Sequence, residues 1–122
     1  MRTTALLLIA HGSRNEDANA DLEHVAAGLR ARGFAIVEPS FLELVEPDVD
    51  GGGARCVERG AGLVILVPYF LSAGVHVRRD LTAARDRLAK RFPEVEFRLA
   101  EPLGPHPLLL DVMADRVHEV NE

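Results

Sequence analysis

The chain has one cysteine, Cys56, in 122 residues. That excludes an intrachain disulfide and any multi-cysteine zinc or iron–sulfur site. Cys56 reads as a half-buried small hydrophobe, and a lone thiol suits a reducing compartment. Long apolar runs are missing too. The run Ala5–Ala10 follows Arg2, but it is shorter than the roughly seven to fifteen residues of a secretion-signal core and far shorter than a membrane span. The expectation is a cytoplasmic protein with no membrane partner. A basic excess is absent: the net charge of -5 leaves no electrostatic case for nucleic acid, although a local basic patch around an anionic ligand stays open. Three fingerprints are absent as well. There is no Gly-x-Gly-x-x-Gly for a dinucleotide, no Gly-Lys-Ser/Thr phosphate loop and no Gly-x-Ser-x-Gly nucleophile elbow.

What remains is an ordinary globular composition, 48% hydrophobic and 27% charged, at a length that suits a single domain over 1–122. Ala5–Ala10 and Leu63–Val67 are apolar without alternation, as strands buried on both faces are. Phe34–Leu44 is a second strand region that Pro39 should break or place at an edge. Val95, Phe97 and Leu99 alternate with charges, as in an edge strand. Between the strands, 18–32 is helical, with Ala18, Leu22, Val25, Ala26 and Leu29 as its apolar stripe and Gly33 as its stop. Residues 79–91 are helical through Leu81, Ala84 and Leu88. The last helix, 108–120, is expected to turn Leu109, Val112, Met113, Val117 and Val120 inward. The second helix is the weak element. Gly51-Gly52-Gly53 falls in its first turn, and each glycine costs about 1 kcal/mol relative to alanine. It is expected to begin late, near Ala54, or to be mobile. The order βαβαβαβα predicts a three-layer α/β domain: a four-stranded parallel sheet with helices on both faces.

In such a sheet ligands bind outside the carboxyl ends of the strands. Two histidines stand there. His11 follows the first strand and precedes Gly12; His76 follows the third strand after the small residues Ser72-Ala73-Gly74. Glu43 ends the second strand region, one βα unit from each, so all three reach one edge. Two imidazoles and a carboxylate suit a first-row divalent metal and proton removal near neutral pH. Arg14, Arg78 and Arg79 flank the histidines, either as solvated helix-start charges or as guanidinium groups for a ligand's carboxylates. His106, between two prolines, either reaches the same edge or orders its loop, and Ser13 reads as a cap or loop residue. His24 and His118 read as surface residues within helices.

Four stretches together carry a family resemblance: Ala10-His11-Gly12-Ser13-Arg14, Phe41-Leu-Glu-Leu-Val-Glu-Pro47, the run from Val67 through Val77 containing His76, and Pro102-Leu-Gly-Pro-His-Pro107. They resemble the small sirohydrochlorin chelatases, the short CbiX type of the class II tetrapyrrole chelatases. The resemblance implies a chelatase-like half domain that works as a homodimer. It implies insertion of cobalt or iron (nickel also accepts such ligands) into sirohydrochlorin, on the way to cobalamin or siroheme. The metal is then substrate, with no permanently bound cofactor. The family's two site histidines map onto His11 and His76 and its glutamate onto Glu43, with Glu46 nearby. Arg14, Arg78 and Arg79 would face the substrate's carboxylates, with Ser13 beside them. Tyr69, Leu71 and Val75 would support the macrocycle, and Ser72 and Gly74 would leave it room. Two rivals remain: a non-catalytic tetrapyrrole or metal carrier on the same fold, and a histidine phosphatase, which wants an arginine where Ala10 stands.

Overall fold

The computed structural model describes residues 2–121. Eight elements alternate: β1 (Thr4–Ala10), α1 (Glu16–Ala31), β2 (Ile36–Phe41), α2 (Val49–Glu58), β3 (Leu63–Pro68), α3 (Val75–Arg91), β4 (Glu96–Leu99) and α4 (Pro107–Val120). The four strands form one parallel sheet in the order β2-β1-β3-β4. β1 is central and buried along nearly its whole length, from Ala5 to Ile9, which is why it reads as an unbroken apolar run. One core lies between the sheet and α2 with α3, around Leu7, Ile9, Val64, Leu66, Leu81 and Leu88. A smaller one lies under α1, around Leu6, Leu8, Leu22, Ala26 and Val37. These are the expected three layers.

α1 begins two residues before the expected start because Asn15 caps it, its side chain accepting from the Asp17 N–H at 2.9 Å. Ala18 is consequently exposed in the first turn; the rest of the expected stripe packs inward. β2 runs straight through Pro39, paired with Leu8. As an edge strand it has no second neighbour to lose a hydrogen bond to the missing N–H. It ends at Phe41, so residues 42–45 do not continue the strand as expected.

The second helix corrects the expectation. α2 is a full element, capped by Asp48, whose carboxylate accepts from the Gly51 N–H at 2.7 Å. Its glycines are there for clearance. A β-carbon on Gly52 would meet Leu7 Cδ1 at 2.7 Å, and one on Gly53 would meet the Leu88 methyls at 2.6 and 2.7 Å. The propensity penalty is offset by letting α2 lie close on β1 and α3, where Val49 and Cys56 are buried. Burial, then the charge of Glu38, pushes the Cys56 thiol up to about 12.

α4 is the other correction. None of its residues is buried. Leu109 is half-buried, but Val112, Met113, Val117 and Val120 face solvent, Val120 at 82% exposure. The preceding loop is bonded to the segment after β3, Leu103 N–H to the Phe70 carbonyl and Gly104 N–H to the Leu71 carbonyl, both at 2.9 Å. It leads the helix away from the sheet. His106 caps α4 through Nδ1, which accepts from the Leu108 N–H at 3.1 Å. That is the loop-ordering role. Among the described residues no helix is long and apolar enough to cross a membrane.

Candidate functional site

The parallel ladder does not stop where the strands do. Leu42 N–H donates to the Ala10 carbonyl at 2.9 Å and Glu43 N–H to the His11 carbonyl at 3.0 Å. These two bonds extend the β1–β2 pairing past both strand ends and splice the backbone of Glu43 to that of His11. Gly12 makes the splice possible. Its φ is 94°, a left-handed conformation that glycine adopts freely, and a β-carbon there would lie 3.0 Å from the Glu43 carbonyl carbon with the oxygen nearer still. On the other side Tyr69 N–H donates to the Ile9 carbonyl at 2.7 Å. The next residue, Phe70, is buried and stacks on the His11 imidazole, ring centroids 4.5 Å apart and tilted by 40°.

The loop carrying His11 is gripped from α1 as well. The Asn19 carboxamide accepts from the Ser13 N–H at 2.9 Å and donates to the Ser13 carbonyl at 2.7 Å. Ser13 Oγ accepts from the Asn15 N–H at 3.0 Å. Ser13 is therefore a loop-ordering residue, and Asn19, which sequence reasoning passed over, is its clamp. An asparagine in the first turn of a helix was the available signal.

A cavity of about 400 Å³ opens beside this edge, walled by His11, Leu42, Glu43, Asp48, Val49, Asp50, Val77, Asp80, Ala83, Ala84 and Arg87. His11 and Glu43 both line it. His76 does not line it. α3 begins at Val75 with Gly74 as its cap, so His76 sits exposed in the first helical turn rather than in the loop before it, one residue from the lining Val77. Among the described residues no three His, Cys, Asp or Glu side chains gather closely enough to hold an ion. His11, His76 and Glu43 come to one edge of the sheet without forming a closed ligand set.

The cavity holds carboxylates that the sequence reading missed. Asp48 and Asp50 come from the start of α2, and Asp80 from α3, at one helical face with Val77, Ala84 and Arg87. Arg87 Nε bonds Asp50 Oδ2 at 3.2 Å, while Asp50 Oδ1 is buried with no partner. Four acidic residues against one arginine give the cavity's lining a net negative charge. The arginines divide. Arg78 is engaged within the fold, Nε donating to the Ala73 carbonyl and Nη1 to Glu101, both at 3.1 Å, whereas exposed Arg14 and Arg79 form no ion pair among the described residues. Tyr69, Leu71 and Val75 are exposed, at 40%, 69% and 69%. Ser72 and Gly74 are exposed beside them, and a β-carbon on Gly74 would meet nothing.

The match to known proteins is decided by a family model, CbiX, that covers residues 5–120. The chain belongs to the CbiX family. It is 37% identical, over 92% of its length, to the chloroplastic sirohydrochlorin ferrochelatase of Arabidopsis thaliana, covering 50% of that protein. The chain spans half or less of this and of two Priestia megaterium relatives. Among solved structures, a putative cobalamin biosynthesis CbiX protein from Marinobacter aquaeolei superposes with a TM-score of 0.82 at 33% identity, over 95% of both chains. The sirohydrochlorin chelatase SirB of Bacillus subtilis subspecies spizizenii, solved in complex with cobalt, superposes at 0.87 and 28% identity over 97% of this chain and 51% of SirB. The four-stranded parallel CbiX-family sheet is thus shared with a chain of matching length and with half of a longer one.

Proposed function

We propose that this chain is a metallochelatase that inserts a divalent metal ion, cobalt or iron, into sirohydrochlorin. The observation that supports it most is the splice of His11 to Glu43 at the wall of an acid-lined cavity, in a chain of a family whose relatives are named for this reaction. Insertion exchanges two pyrrole N–H protons for one M²⁺. A neutral imidazole accepts a proton near pH 7 and also ligates the ion. His11 and His76 take these roles, with the Glu43 carboxylate assisting. The open arrangement suits transfer, because a closed ligand set would retain the metal. The cavity's carboxylates draw the cation and repel the substrate's own carboxylates, which Arg14 and Arg79 receive instead.

The acting species is a homodimer. On α4, Leu110, Met113, Val117 and Val120 form one stripe, 58% to 82% exposed, spaced as a helix–helix contact is. A second copy covers it. The unbridged, buried Cys56 suits the reducing cytoplasm.

The test is anaerobic insertion into sirohydrochlorin with Co²⁺, Fe²⁺ and Ni²⁺ in turn, followed by absorbance. His11→Ala and His76→Ala should each abolish turnover while the fold persists. Metallation by the double variant at the normal rate sinks the assignment, and binding of sirohydrochlorin with no turnover above the uncatalysed rate makes the chain a carrier. Light scattering should give a dimer, and Met113→Asp a monomer.

A further inference from the structure

Leu44 is the only non-glycine residue with positive φ among the described residues, at 69°. It is the middle of a three-residue turn, in which Val45 N–H donates to the Glu43 carbonyl at 2.8 Å. Such γ-turns at positive φ are rare and strained, and a leucine there lacks the freedom of glycine or asparagine. Burial does not hold it in place, because the side chain is 60% exposed. An apolar side chain is therefore kept in solvent by a backbone conformation that disfavours it. Strain of that kind concentrates at functional sites.

The position explains what it accomplishes. Glu43 is held at both ends of its own residue, its N–H by the His11 carbonyl and its C=O by the Val45 N–H. Leu44 follows directly, on the β2 side of β1. The strand order β2-β1-β3 puts His11 between this turn and the segment that runs from β3 into the start of α3, where Tyr69, Leu71 and Val75 are exposed. Exposed apolar side chains thus stand on both flanks of the His11–Glu43 pair.

We infer that Leu44 is a substrate-contact residue, the β2-side support on which the apolar face of the tetrapyrrole rests while its nitrogens face His11 and Glu43. This rests on the chelatase reading. It assigns the strained turn two linked tasks: fixing the Glu43 backbone and presenting a leucine to the macrocycle.

The experiment compares wild type with Leu44→Gly, Leu44→Asn and Leu44→Met. It measures thermal midpoint, metal-free sirohydrochlorin affinity by absorbance titration, insertion kinetics and mass in solution. Glycine and asparagine accept the left-handed backbone, so the midpoint should not fall. Losing the leucine contact should raise Kd and KM about tenfold with kcat within about twofold, the signature of binding lost equally from ground and transition states. Leu44→Met, which keeps an apolar side chain, should retain affinity. Wild-type affinity in both Leu44→Gly and Leu44→Asn overturns the inference. So does an affinity loss that appears only with a lower midpoint or with conversion of dimer to monomer, since the leucine would then serve stability or a second copy. If wild type inserts metal while all variants keep its KM, this inference alone fails; if wild type neither binds nor metallates sirohydrochlorin, the chelatase reading fails with it.

Discussion

Gly12→Ala tests the geometry on which the site depends. Two penalties arise. An L-residue at φ 94° is disfavoured by about 1–2 kcal/mol. The new methyl would also press on the Glu43 carbonyl, a backbone group that cannot swing aside, because Glu43 is bonded to His11 on one side and Val45 on the other. Overpacking of this kind costs about 1–3 kcal/mol. The sum is about 2–5 kcal/mol, a large share of the roughly 5–15 kcal/mol that holds a domain folded. Gly33→Ala is the control. Its φ is similar, 104°, but a β-carbon there meets nothing within 4 Å, so only the conformational part, about 1–2 kcal/mol, should appear. Urea unfolding followed by circular dichroism measures both, provided the slope m is unchanged. Gly12→Ala should also slow metal insertion well below its unfolding midpoint, since relief of the overlap moves Glu43 off His11. If the two variants agree within about 0.5 kcal/mol, the close approach of Gly12 to Glu43 is not energetically real and the argument for a built pair collapses.

Gly28→Ala, inside α1 with open space around it, should instead stabilise by about 1 kcal/mol in the same urea assay. Asn19→Ala removes both bonds to Ser13. A loss of about 1–2 kcal/mol, faster amide exchange at Ser13 and slower insertion should follow, and exchange at the wild-type rate would show that the clamp is idle. The Cys56 thiol, pushed up to about 12 by burial and then by Glu38, should be inert to a thiol reagent at pH 8 until the protein unfolds. In the unfolded chain it ionises near its ordinary value of 9.0, so the folded state binds the extra proton at higher pH. Stability should therefore fall as pH rises from about 9 toward 12, and Cys56→Ala should flatten that part of the profile.

Several features are legible in the sequence. The unbroken apolar run of β1 follows from burial on both sheet faces, whereas Ile65 and Val67 of β3 are half-buried on one face, and the alternation of β4 follows from its edge position. The placement of His11 and Glu43 at one edge follows from the regular spacing of βα units. Other features are not. Gly51–Gly53 argue against a helix by propensity, yet α2 forms there, because Gly52 and Gly53 let it lie close on Leu7 and Leu88 and bury Val49 and Cys56. The apolar stripe of α4 reads as an inward face, since a periodic pattern states that a face wants cover and not what covers it. His76 reads as a loop residue, but Gly74 starts the helix earlier than the first charged residues suggested.

Local pattern therefore determined the order of elements, the parallel sheet and the strand ends at which the chemistry collects, because these depend on residues near one another in the chain. Only the tertiary structure decided that Asp48, Asp50 and Asp80 share a cavity with His11 and Glu43, that His76 stands outside its wall, and that Leu44 is held in a strained turn. The first two depend on how two helices and two loops, distant in sequence, approach one sheet edge, and the turn at Leu44 on a backbone conformation; no periodicity encodes either.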